Sequence, residues 1–103
     1  MKNAKRSMPN SWGSPIEIER RRRIRVSVAA YAYEILSESI MPDADFDKLC
    51  LEINPQINTG NKVLDKFFKE EFDSSTGQWV HTHPEKEKLQ IIYDRHYNGT
   101  EKK

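Results

Sequence analysis

Two groups of residues could do chemistry. The first is a run of guanidinium groups: Arg20, Arg21, Arg22, Arg23 and Arg25. Such groups offer planar, permanently charged donors to phosphates, singly or along a nucleic-acid backbone. The same run also reads as a solvated helix face, partly neutralised by Glu17 and Glu19. No aromatic residue interleaves with the arginines, so base stacking is not indicated. The second group is Tyr31, Tyr33 and Glu34, followed by Asp43, Phe46 and Asp47. On a helix, Asp43 and Asp47 lie one turn apart, and carboxylates so spaced can hold a ribose, a ring amide or a cation. Spacing alone favours a plainer assignment, with Asp43 as a helix cap, Asp47 beside the helix dipole and both tyrosines in the core.

A third set, His81, His83, Asp94 and His96, is weaker. Metal ligation needs three or four such groups to converge, and neither a Cys pair nor a helical His pair is present. No metal site is expected, and His83 before Pro84 reads as part of a helix-capping turn. Glycine-rich phosphate loops and Ser-His-Asp patterns are absent from the sequence.

The elements that must position these groups read as helices. Ser14, Pro15 and Glu17 form a strong helix start, with Ser14 as cap and Glu17 as the other half of a capping box. Nothing breaks a helix from there to about Ser39. Ile24, Val28, Tyr31 and Ile35 share a face, as do Ala29, Tyr33, Leu36 and Ile40. The arginine-bearing half is polar all round, which predicts exposure to solvent or a partner. Met41-Pro42-Asp43 ends the helix, and Asp43 is the expected cap of the next. That second helix carries Phe46, Leu49, Cys50 and Ile53 to about residue 53.

A loop follows over residues 54–60, and Asn61 is placed to cap a third helix bearing Val63, Leu64, Phe67, Phe68 and Phe72. Residues 73–77 read as a turn, and Trp79-Val80 as a short extended piece that buries the tryptophan. Thr82 and Glu85 suggest a second capping box for a fourth helix with Leu89, Ile91 or Ile92, Tyr93 and Tyr97, stopped by Gly99.

The expected architecture is a small all-α domain of four helices. Residues 1–13 form a basic arm whose Trp12 could fold back, residues 14–99 the domain, and residues 100–103 a frayed tail. Helices one and two make a hairpin, covered by helices three and four through Phe67, Phe68, Trp79 and Tyr93. With 103 residues, 36% hydrophobic and 32% charged, the chain supports one small core. The net charge of +1 is split: residues 1–25 carry +6 and the remainder −5, an anion-seeking end on an acidic body. Cys50 is single, which excludes an internal disulfide, and falls on an apolar face as an inert core thiol. No apolar run is long enough to span a membrane and no signal-peptide core is present, so the expectation is a soluble, cytoplasmic chain.

Tyr31-x-Tyr33, then Pro42-Asp43-Ala44-Asp45-Phe46-Asp47-Lys48-Leu49, resembles the N-terminal helical subdomain of bacterial NAD-dependent DNA ligases. The likeness covers about thirty residues and is preceded in both by an arginine-rich helix. It implies a helical-hairpin scaffold that folds over the nicotinamide-mononucleotide (NMN) half of NAD. Under that resemblance Tyr33, Asp43 and Asp47 match ligand contacts, Phe46 stands where the family has tyrosine, and Glu34 where it has histidine. The lysine-x-Asp-Gly motif of the ligase nucleophile is absent.

The resemblance therefore implies a non-catalytic, stand-alone relative of the kind found in a phage or prophage. It would be an accessory protein of DNA metabolism whose arginines meet nucleic-acid phosphates. Two rival expectations are a module binding NMN or NAD beside another enzyme, and a structural module whose arginines meet an acidic protein partner.

Overall fold

A computed structural model of the chain describes residues 13–98. The readings for the arm up to Trp12, the Gly99 stop and the tail lie outside that range. Within it the fold is all-α. Its four helices are α1 (Pro15–Leu36), α2 (Asp43–Glu52), α3 (Lys62–Glu70) and α4 (Lys86–Tyr93). A 3₁₀ turn over Gln78–Thr82 precedes α4, and a π turn over Asp94–Asn98 continues it.

Helix α1 starts where its signals place it. The Ser14 side chain accepts from the Glu17 N–H at 3.2 Å. Glu17 does not complete the capping box. Its carboxylate instead accepts from Arg20 Nη1 at 2.7 Å. The helix stops at Leu36, short of the expected Ser39, because Ser37 takes the left-handed conformation at φ 58°. The N–H groups of Ser37 and Glu38 both return to the Ala32 carbonyl, closing the end. Residues 26–32 are buried without interruption, so α1 is the central helix, enclosed by α2, α4 and the 3₁₀ turn. Small side chains there, Ala29, Ala30 and Ala32 among them, let the neighbours approach closely.

Side chains from every element build the core. Val26, Val28 and Tyr31 of α1 meet Leu49, Cys50 and Ile53, then Phe67, Phe68, Trp79, Val80, Leu89 and Tyr93. The rings of Phe67 and Phe68 pack edge to face at 5.4 Å, and Trp79 lies 5.0 Å from Phe72. Cys50 is buried, and burial foremost, then the Asp47 and Asp73 charges, pushes its thiol up to about 11. It is an inert core thiol, as expected.

Three local expectations fail for identifiable reasons. Pro42, in an extended conformation, occupies the cap position of α2, so Asp43 is the first helical residue and caps nothing. The segment carrying Trp79 is a 3₁₀ turn, with Trp79 buried and its Nε1 donating to the Thr76 carbonyl at 2.7 Å. Helix α4 starts at Lys86 without a Thr82–Glu85 capping box. Thr82 Oγ1 donates to the Trp79 carbonyl, and His83 Nδ1 accepts from the Glu85 N–H at 2.9 Å. Burial holds His83 well below the usual imidazole range, at about 4.

The largest correction concerns the arginine half of α1. It is not exposed all round, because Glu19 is 0% exposed and Arg23 4%. Arg23 Nε donates to Glu19 at 2.8 Å and Nη1 to Asp65 on α3 at 2.8 Å. Nη2 donates to the carbonyls of Asn54 and Ile57, and the guanidinium lies 4.9 Å over the Phe68 ring. Asp65 also accepts from the Thr59 N–H and hydroxyl. Burial alone would raise the Asp65 carboxyl, but the hydrogen bonds from Thr59 and Arg23 outweigh it and hold the group below the usual range.

Removing one partner of a buried ion pair strands the others. Arg23→Ala is therefore expected to lower stability by about 3–5 kcal/mol. Exposed Arg25→Ala should cost under about 0.5 kcal/mol. Urea unfolding of the two variants measures this contrast.

Candidate functional site

The break at Leu36 and the restart at Asp43 leave a cleft of about 280 Å³ at the corner between α1 and α2. Tyr33 and Glu34 enter from the last turns of α1. Asp43, Phe46 and Asp47 enter from the first turns of α2, at helical spacings of three and four that place them on one side. Ala29 and Ala30 line the cleft from α1, Ser39, Ile40 and Met41 from the link, and Thr76 and Gly77 from the turn before the 3₁₀ segment.

The two tyrosines part ways. Tyr31 is buried, and its hydroxyl donates to Gln90 Oε1 of α4 at 2.7 Å, so it is a core residue. Tyr33 is 63% exposed and offers its ring to the cleft. Burial thus separates what spacing left together.

Three carboxylates, Glu34, Asp43 and Asp47, line the cleft, and among the described residues its lining contains no lysine or arginine. Glu34 Oε1 lies 3.2 Å from His81 Nε2, which fastens this wall to the 3₁₀ turn. Such a lining favours cations and hydroxyl donors, with the faces of Tyr33 and Phe46 beside them.

Five of the six residues of the second sequence group therefore share one cleft, and Tyr31 does not. Sequence reasoning missed the far wall, Thr76 and Gly77, together with His81. Their local turn signals were readable, but nothing in them points across the chain to Asp43. Gly77 sits at van der Waals distance from both walls, with an ordinary φ of −105°. A Cβ there would meet Ala30 Cβ and the Phe46 ring, each at 3.4 Å.

The arginines do not converge on this cleft. Arg23 is in the core, and Arg20 holds the 54–60 loop by donating from Nε (3.1 Å) and Nη2 to the Thr59 carbonyl. Arg22 Nε lies 4.0 Å from Glu52. Arg25 borders a shallow depression with Asp45, Lys48 and Glu52. Arg21 and Arg25 are exposed on α1. His81 and His83 serve separate places, and the described residues contain no group of three or more His, Cys, Asp or Glu able to hold a metal ion. None of the described helices is long and apolar enough to cross a membrane.

Compared with known families, curated proteins and solved structures, the chain matches none.

The Gly77 contact can be tested directly. Gly77→Ala should change the Phe46 ring environment and alter stability by under about 1 kcal/mol, because the methyl reaches its neighbours at contact distance and the backbone suits alanine. Thermal unfolding and the Phe46 ring resonances report both effects.

Proposed function

We propose that this chain is a small, non-catalytic binding module of DNA metabolism. Its acidic, aromatic cleft takes the nicotinamide-riboside portion of NMN or NAD, beside another enzyme. The observation that carries the reading is the meeting of Tyr33, Glu34, Asp43, Phe46 and Asp47 in one cleft. A nicotinamide ring joined to ribose is a cation. The faces of Tyr33 and Phe46 attract such a ring, and the nearby carboxylates lower its energy further. Carboxylates one helical turn apart also accept from the ribose hydroxyls. The anionic phosphate belongs at the open mouth, away from the three carboxylates. Lack of a lysine-x-Asp-Gly motif supports binding without adenylation.

Calorimetry tests this reading. NMN should bind in the millimolar range, and Asp47→Ala should abolish the heat without changing the melting temperature, because Asp47 is exposed. Absence of heat from the intact chain at millimolar NMN removes the reading.

A second reading keeps part of the arginine signal. Arg21, Arg22 and Arg25 remain at least partly exposed along one stretch of α1, so a nucleic-acid backbone is a second ligand for this protein. Arg23 drops out because it is buried, and Arg20 because its Nε and Nη2 hold the Thr59 carbonyl, while Arg22 stays half-exposed beside Glu52. Three phosphate contacts give a slope of log affinity against log salt of about −3 on duplex DNA. Replacing Arg21, Arg22 and Arg25 by Gln should flatten that slope at unchanged stability. Salt-independent or absent binding to DNA and RNA assigns these arginines to an acidic protein partner instead.

A further inference from the structure

A second cleft, of about 290 Å³, shares no lining residue with the first. It lies among α1, α3, α4 and the segment before α4. Ile24, Leu64, Phe68, Leu89 and Ile92 give it an apolar wall. Two of its polar groups stand out. Ser27 lines the cleft, is 1% exposed, and its hydroxyl has no hydrogen-bond partner. A buried hydroxyl without a partner is costly and calls for an explanation. His83 also lines the cleft. Its Nδ1 accepts from the Glu85 N–H, so the neutral ring carries its proton on Nε2 and can donate there.

The charged residues of the lining are already engaged. Arg23 is held by Glu19 and Asp65, Arg20 by Glu17 and the Thr59 carbonyl, and Lys88 by Glu85 at 3.5 Å. A charged ligand would lose its hydration here and find no uncommitted counter-charge. An uncharged ligand escapes that cost, and its apolar body suits the wall. An engineered apolar cavity of roughly 150 Å³ holds benzene, so this cleft has room for a single substituted ring.

We propose that this second cleft binds a small uncharged ring bearing one hydroxyl group, with Ser27 and His83 as its polar partners. The ring packs between Ile24, Leu64, Phe68, Leu89 and Ile92. The ligand hydroxyl bonds the serine hydroxyl and accepts from His83 Nε2, and the orphan group of the free protein is satisfied. This proposal stands apart from the nicotinamide reading, since it uses other residues.

The test is an NMR titration of the full chain with p-cresol, toluene and 4-methylbenzoate. p-Cresol should give saturable shifts at the amides of Ser27, Leu64 and Leu89. It should bind about fivefold tighter than toluene, the effect of one net hydrogen bond. 4-Methylbenzoate should bind more weakly than either. Ser27→Ala should weaken p-cresol binding toward the affinity of toluene, leaving only the His83 bond. Its melting temperature should hold or rise, because the variant removes an unpartnered buried hydroxyl. Leu64→Trp, at a half-buried position, should fill the cleft and abolish binding of both neutral probes. The proposal is overturned by shifts that do not saturate at these amides, or by equal affinity for p-cresol and toluene. It is also overturned by tighter binding of the benzoate, or by undiminished binding in either variant.

Discussion

One guanidinium group ties the interior together. Arg23 joins its own helix, through Glu19, to α3, through Asp65, and to the loop between α2 and α3, through the Asn54 and Ile57 carbonyls. Charged groups taken out of water must recover their solvation from fixed partners, and here geometry supplies most of them, with Glu19 Oε1 left without one. Glu19 Oε2 accepts from the Asn54 N–H at 3.0 Å, and Asp65 takes two donors from Thr59. The loop over residues 54–59 has little apolar content of its own, so its path follows from these polar contacts. A buried network of this kind contributes more to choosing one arrangement than to net stability, because a hydrophobic replacement of equal volume is often no less stable.

Helix α1 therefore joins two interiors. Its first half faces a polar one, and residues 26–32 fill an apolar one. The change comes within a turn, between Arg23 and Val26. Beyond it the helix emerges again, with Tyr33 exposed and Glu34 half-buried beside His81. The corner cleft exists at that end for a local reason. The left-handed Ser37 turns the chain, the link over residues 37–42 forms a wall, and α2 delivers Asp43, Phe46 and Asp47 from its first turns.

The two clefts differ in chemistry because they sit on different interiors. The corner cleft has three carboxylates, of which Glu34 meets His81, and an exposed ring, while the second has an apolar wall with its charges paired. Both border α1, and both are closed by segments that follow α3, so the second half of the chain completes sites whose first residues lie in α1.

Much was legible in the sequence. Ser14-Pro15 and Asn61 announce helix starts because caps act through bonds three residues long. The apolar stripes of α3 and α4 name Phe67, Phe68, Leu89 and Tyr93 as core, since helical periodicity is a local property. Even the grouping of Tyr33 with Asp43 and Asp47 could be read, because a short link leaves two consecutive helices as neighbours. Long-range contact decided the rest. Arg23 looks much like Arg21, Arg22 and Arg25 along the chain, and distant partners, Asp65 forty-two positions away and the Asn54 and Ile57 carbonyls, help select it for the interior. Tyr31 and Tyr33 are likewise alike in sequence, and Gln90 on α4 separates them. Pairing between distant charges leaves no periodic trace, so the fate of each arginine was settled by the packing of α1 against α3 and the loop before it.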